Sequence, residues 1–211
     1  MFVNLFIPSV LHWREKGIIL RQETCFPESE TTSLIVSVDS PTRAKLFLRY
    51  PLWSGKVEVR VNGKRIRVGQ KPGSYITLDR EWREGDCVEV TYPMHFSLET
   101  TPDDSSRAAL LYGPVVLAGE LGTEGMQAPA PDSDPLKYND YYTYNYHIPE
   151  GLPVSLKWDE KHPENSVKRI SDSTLRFCTA DGVTISPLYD VHRQRYVVYW
   201  NVELKTYSDE K

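Results

Sequence analysis

The run "KVEVRVNGKRIRV", residues 56–68, leaves little choice of secondary structure. Apolar residues occupy every second position on both sides of Asn62-Gly63, a period that suits a strand with one dry face and not a helix. Asn-Gly between two such runs predicts a two-residue hairpin, because both turn residues must take positive φ. Val57, Val59 and Val61 are expected to face a core while Glu58 and Arg60 face water. Ile66 and Val68 resume the apolar face after the turn.

The same rhythm recurs along the chain. In "TTSLIVSVD" (31–39), Leu34, Val36 and Val38 fall on one face and Ser33, Ile35 and Ser37 on the other. Segments 17–24, 43–50, 73–82 and 86–94 are similarly β-rich, and "REGD" between the last two suits a tight turn. "RAALLYGPVVLAGELG" (107–122) is nearly all apolar and predicts a central strand buried on both sides, bent at Gly113-Pro114. Pro114 and the pair Val115-Val116 argue against a helix there. Proline, small and acidic residues from 122 to 140, followed by tyrosines to residue 147, predict an excursion across the surface. Further strands are expected in "VSLKW", "TLRFCT", "VTISPLY" and "RYVVYWNVEL", with a polar loop at 158–166. No long helical period occurs. The expected fold is all-β, an antiparallel β-sandwich of jelly-roll type, either single or built as two packed β-sandwich subdomains. The division expected is 1–100 for a first sandwich region and 101–211 for a C-terminal β region. The latter carries the excursion at 122–147 and shares sheets with the first.

Composition narrows the function classes. Hydrophobic residues make up 40% of the chain, enough for a sizeable core. Lys and Arg number 25 against 29 Asp and Glu, a net charge of −4 with no basic block, so nucleic-acid binding lacks its usual electrostatic source. No apolar run approaches the ~20 residues that span a bilayer, so no membrane partner is expected. "MFVNLFIPSV" lacks a positive start and is broken by Asn4 and Pro8, which argues against a signal peptide. It reads instead as a strand beginning inside a fold. Localisation stays open.

Chemistry-bearing residues are scattered. Cys25, Cys87 and Cys178 are odd in number, far apart and without CxxC spacing, and read as buried thiols. His12, His95, His147, His162 and His192 are isolated, so neither a metal site nor a cofactor is expected in this chain. No nucleophile elbow, phosphate loop or dinucleotide fingerprint is present, and no catalytic residue is assigned. Glycoside hydrolysis needs two carboxyl groups about 5–10 Å apart. Asp103-Asp104 reads as turn chemistry. Glu120, closing an apolar strand, reads either as an arginine partner or as a strand end reaching solvent. Tyr138, Tyr141, Tyr142, Tyr144 and Tyr146 cluster beside the proline-rich stretch and can stack on sugars or pack the loop down. Tyr141, Tyr142, Tyr144 and His192 are the candidate substrate contacts. Trp53, Trp82, Trp158 and Trp200 read as core anchors. In "SPLYDVHRQRYVVYWNVE" (186–203), Tyr196, Val198 and Trp200 alternate with Arg195, Val197 and Tyr199. That is the pattern of a closing strand covered on both faces, approached through Asp190–Arg193.

Several stretches taken together resemble one family. "VNLFIPSVLHW", "GIILRQETCFPE", "LRYPLW", "VRVNGK", "GSYITLDREWREGD", "LLYGPVVLAGELG" and "SPLYDVHRQRYVVYW" occur in order from about residue 3 to 200. The set resembles the region after the catalytic domain in β-L-arabinofuranosidase-like glycoside hydrolases, family 127 and its relatives. The resemblance implies an (α/α)6 barrel carrying the active site, followed by β-sandwich domains. It also implies retaining catalysis by a cysteine nucleophile in a zinc site, with a separate glutamate as acid/base. Those residues belong to the barrel, and this chain has no Cys-Cys pair, so none of its cysteines takes a catalytic role. Zinc is expected only in the catalytic domain.

The chain then corresponds to a C-terminal piece of such a protein, inactive alone. It would be an accessory β-sandwich that stabilises the barrel of the same or a split polypeptide and shapes its substrate rim. Its barrel-facing surface would favour self-association, and glycans are possible partners. Two rival functions are a carbohydrate-binding module acting on its own and a complete hydrolase with an unrecognised carboxylate pair.

Overall fold

The computed structural model describes residues 1–124 and 154–205. The chain divides into two compact units, one of Met1–Ser97 with Leu111–Val115, the other of Leu98–Leu110 with Val116–Lys211.

The first unit is a sandwich of two sheets. Strands β1 (Phe2–Val3), β5 (Thr42–Tyr50) and β8 (Ser74–Trp82) form one, in the order β1-β5-β8. The other runs β2 (Ser9–Trp13), β3 (Ile18–Thr24), β4 (Thr31–Val38), β9 (Cys87–Thr91), β6 (Glu58–Val61), β7 (Lys64–Ile66). Alternation decides what lies between them. Leu34, Val36, Val59 and Val88 from the larger sheet and Leu46, Leu48, Ile76 and Trp82 from the smaller are all buried in one apolar cluster. The Trp82 indole N–H, dry at that depth, donates to the Ala44 carbonyl at 3.0 Å.

The Asn62-Gly63 hairpin forms as expected, with φ of 52° and 76°. Asn62 does more than turn the chain. Its Nδ2 donates to Asp86 Oδ1 at 2.7 Å, and its Oδ1 accepts the Cys87 N–H at 2.9 Å, tying the hairpin to the start of β9.

A nine-stranded sheet carries most of the remaining chain. Its order is β13 (Ser155–Trp158), β18 (Tyr199–Leu204), β11 (Arg107–Tyr112), β12 (Val115–Glu120), β16 (Thr184–Pro187), β15 (Phe177–Thr179), β14 (Val167–Arg169). Two further strands join it, β10 (Phe96–Thr100) on β11 and β17 (Tyr196–Val197) on β12. Most pairs are antiparallel, β13–β18 being parallel. Ala108, Leu110, Leu117, Leu156, Phe177, Ile185 and Trp200 are buried in it.

Three expectations change here. The stretch 107–122 is not one bent strand but two neighbours, β11 and β12, joined at Gly113-Pro114. Gly113 has φ 55°, and glycine with positive φ before the second turn residue suits the mirror-image turns that hairpins favour. The closing run is likewise interrupted. Val198 separates β17, paired with β12, from β18, paired with β11 and β13. Tyr196 and Tyr199 are consequently exposed, so the run is not covered on both faces, although Trp200 is fully buried as expected of a core anchor. Finally, 158–166 is more than a polar loop. Asp159 is buried, accepting from the N–H of His162 at 2.9 Å and pairing with Lys205 Nζ at 3.0 Å, above the single helical turn Pro163–Ser166.

Candidate functional site

The residues most often recruited for catalysis are engaged elsewhere. Asp104 accepts from the Ser106 N–H at 2.9 Å and the Ser106 hydroxyl at 2.6 Å. Those bonds, helped by Arg107, hold its carboxyl below the ordinary range, as the turn reading requires. Glu120 lies against Arg176 Nη2 at 2.8 Å and the Ser186 hydroxyl at 2.6 Å, which makes it the partner of an arginine. Burial pushes the Asp86 carboxyl up, but the Asn62 amide, the Arg83 N–H and the charges of Arg80 and Arg83 together bring it below its ordinary value. Burial also raises the Cys87 thiol, reinforced by Glu89 and Glu23, which disfavours a nucleophilic thiolate.

Cys25, Cys87 and Cys178 are all free, and none is a buried thiol: Cys25 is exposed, and Cys87 and Cys178 are half-buried. Glu23, two residues before Cys25, is ion-paired with Arg21 at 3.2 Å. Among the described residues no group of three or more His, Cys, Asp or Glu side chains is placed to hold a metal ion. Of the candidate substrate contacts, Tyr141, Tyr142 and Tyr144 lie outside the described residues. His192 is exposed between the 3-10 turn Leu188–Asp190 and β17.

The feature that stands out is an apolar face in the first unit. From Phe2 to Trp13 the chain passes from the edge of the three-stranded sheet, as β1, to the edge of the six-stranded sheet, as β2. Val3 and Phe6 of this segment are buried and Trp13 is partly packed on the core, Phe6 lying on Phe26 and Tyr92 at centroid distances of 5.4 and 4.3 Å. Phe2 (60% exposed), Leu5 (61%), Ile7 and Leu11 are exposed along one groove, whereas Val10 and Ile19 of β3 are exposed on the other face of the six-stranded sheet. Phe2 is held flat on Phe47 at 4.6 Å and edge-on to Tyr75 at 5.1 Å, so the face is ordered and not a loose tail. A shallow groove of about 250 Å³ runs along it, lined by Leu5, Ile7, Leu11 and Leu20 with Asn4 and Gln22. An edge strand that shows apolar residues on both faces lacks the charges and prolines that normally keep edges apart, and this marks a surface built to be covered. The apolar run Leu5-Phe6-Ile7 is present in the sequence, but without β2 at a sheet edge it cannot be told from a buried strand.

Comparison with known proteins bears on what covers it. Residues 1–94 match the profile of the β-L-arabinofuranosidase GH127 middle domain, and residues 97–202 match DUF4986, a domain of unknown function. No match was found among curated protein sequences. Three solved structures share the fold. One, described as a glycoside hydrolase, aligns over 95% of this chain and 35% of its own, at 17% identity and TM-score 0.64. A GH127 β-L-arabinofuranosidase from Geobacillus stearothermophilus T6 aligns over 96% of this chain and 33% of its own, at 21% identity and TM-score 0.60. A GH127 β-arabinofuranosidase aligns over 96% and 34%, at 21% identity and TM-score 0.65. The chain thus spans about a third of the length of these structures.

Proposed function

Because this chain belongs to the β-L-arabinofuranosidase-like glycoside hydrolases, as a family 127 middle domain followed by a DUF4986 domain, we infer that it is a non-catalytic accessory part of such an enzyme. On this reading the apolar face on β1–β2 packs against the catalytic (α/α)6 barrel, carried on the same or a split polypeptide. The sandwich stabilises the barrel and shapes its substrate rim, and zinc is held by the barrel. The enzyme as a whole would act on plant or bacterial glycans.

The exposed residues Phe2, Leu5, Ile7 and Leu11 along one groove are the observation that carries this reading. Each such side chain contributes about 1.5–3 kcal/mol when driven fully into an interface, before ordering costs. Four of them along this edge offer enough to dock a domain. The test is to mix the purified chain with a separately produced family 127 catalytic domain. Co-elution and a rise in that domain's melting temperature are expected, and Leu5→Asp with Ile7→Asp should abolish both while leaving this chain's circular dichroism unchanged. Absence of a complex, or a complex indifferent to those substitutions, overturns the docking reading. Release of arabinose by the chain alone overturns the non-catalytic one.

A carbohydrate-binding role is favoured by one separate observation, the exposed rings of Tyr189, Tyr196 and Tyr199. Calorimetric titration with arabinosides decides it, and no measurable heat of binding rejects it.

A further inference from the structure

Beside the Asn62-Gly63 hairpin, far along the six-stranded sheet from β2, lies a groove of about 700 Å³. Its floor is apolar. Val57 is buried, Ile66 and Val68 are half-buried against the core, and the Tyr50 ring is fixed by its hydroxyl donating to the Gly55 carbonyl at 3.1 Å. Its rim is cationic, formed by Lys56, Arg65 and Arg67 with Gln70.

Residues 56–71 contain Lys56, Arg60, Lys64, Arg65, Arg67 and Lys71 against a single carboxylate, Glu58, in a chain whose net charge is −4. Glu58 is already bonded to Arg60 at 2.7 Å and Arg65 at 3.4 Å. Among the described residues Lys56, Lys64, Arg67 and Lys71 have no carboxylate in ion-pair range. Several cations elsewhere in the unit are ion-paired, although Arg14, Lys16 and Arg49 are not among them. Arg43 and Lys45 share Asp79, Arg80 faces Asp86, and Arg83 faces Glu81. Edge protection accounts for Lys64 and Arg65 in β7. It does not account for Lys56, Arg67 and Lys71, which lie off the strand.

We propose that this groove binds a carboxylated polysaccharide chain, a polyuronate. Sugar rings offer C–H faces to a floor of Ile66 and Val68, while their carboxylates meet the unpaired Arg67 guanidinium, whose fork matches a carboxylate, and the Lys56 ammonium. The volume lies within the range of small-ligand sites and admits a short oligosaccharide. A single nucleic-acid strand would instead need exposed rings for its bases, and Tyr50, the groove's aromatic side chain, is buried. The choice of a glycan over another polyanion rests on the reading that the chain serves a glycan-degrading enzyme.

The test is calorimetric titration of the whole chain with hexagalacturonate at low ionic strength. Parallel titrations use a neutral arabino-oligosaccharide, poly-glutamate and single-stranded DNA. Saturable hexagalacturonate binding is expected, weakened about tenfold or more by the pair Lys56→Ala and Arg67→Ala and falling as salt rises. The neutral oligosaccharide should not compete. Lys56 and Arg67 are both exposed, and unchanged circular dichroism of the variant separates lost binding from lost fold. No saturable binding, an unchanged affinity in the double variant, or equal affinity for poly-glutamate or DNA overturns the proposal. Because Leu5 and Ile7 are untouched, the co-elution experiment reports on domain docking independently of this result.

Discussion

Replacing Gly119 with alanine places a methyl group where the Trp200 indole already lies. A Cβ built there would sit 2.5 Å from Trp200 Cη2, 2.7 Å from Cζ2 and 2.9 Å from Val197 Cγ1. Ordinary carbon contacts are about 3.5–4.0 Å, so the ring or the strand must retreat by about 1 Å. Trp200 is fully buried and rigid, and its ring cannot swing away as a methionine would. Gly119 does not need the left-handed backbone region, so the cost of alanine there is steric alone.

Overpacking of this kind costs about 1–3 kcal/mol, set against roughly 0.5–1 kcal/mol that alanine returns by restricting the unfolded chain. Gly119→Ala should therefore lose stability in urea unfolding followed by circular dichroism. Trp200→Ala alone should cost about 3–5 kcal/mol. In that background Gly119→Ala should become neutral or stabilising, a coupling of about 1–3 kcal/mol across the cycle. A neutral Gly119→Ala in the native background, or an equal loss with and without the indole, would show that the ring does not rest on β12.

Two other changes probe polar anchors. Asp86 titrates lower in the folded chain than its ordinary 3.8, so its contribution is complete above that value and is lost as pH falls through the lower folded value. Asp86→Asn should cost about 1.5–3 kcal/mol at neutral pH and flatten the acid limb of a stability–pH curve, and curves of equal slope for both proteins would refute the assignment. Glu120→Ala, which strands Arg176 and Ser186, should cost about 1–3 kcal/mol in thermal unfolding. Adding Arg176→Ala should cost little more, whereas additive losses would mean that the pair is not coupled.

What the sequence disclosed is local. The period of two around residues 34–38 and 57–61 places valines and leucines inward, and Asn62-Gly63 can hardly be anything but a hairpin. The ordered motifs from residue 3 to 200 carry the family as well. Partnerships across long separations were not legible. Glu120 meets Arg176 through the β12–β16–β15 neighbourhood, 56 residues away, and nothing in either flanking sequence announces it. Gly113-Pro114 was read as a bend because an apolar run records burial on two sides and not the number of strands that produce it. The cations of 56–71 escaped notice as a block because valines and isoleucines are interleaved among them.

The six-stranded sheet has two unlike borders, one apolar at β2 and one cationic at β7. A sheet with two sticky borders can add copies without end, whereas one with a single sticky border can add only one. Two copies meeting β2 to β2 would present the same patch to each other and close on a two-fold axis. Both outer borders of that pair would then be positive and would repel further addition. If β2 were left uncovered, that geometry would favour a finite pair over a growing fibre.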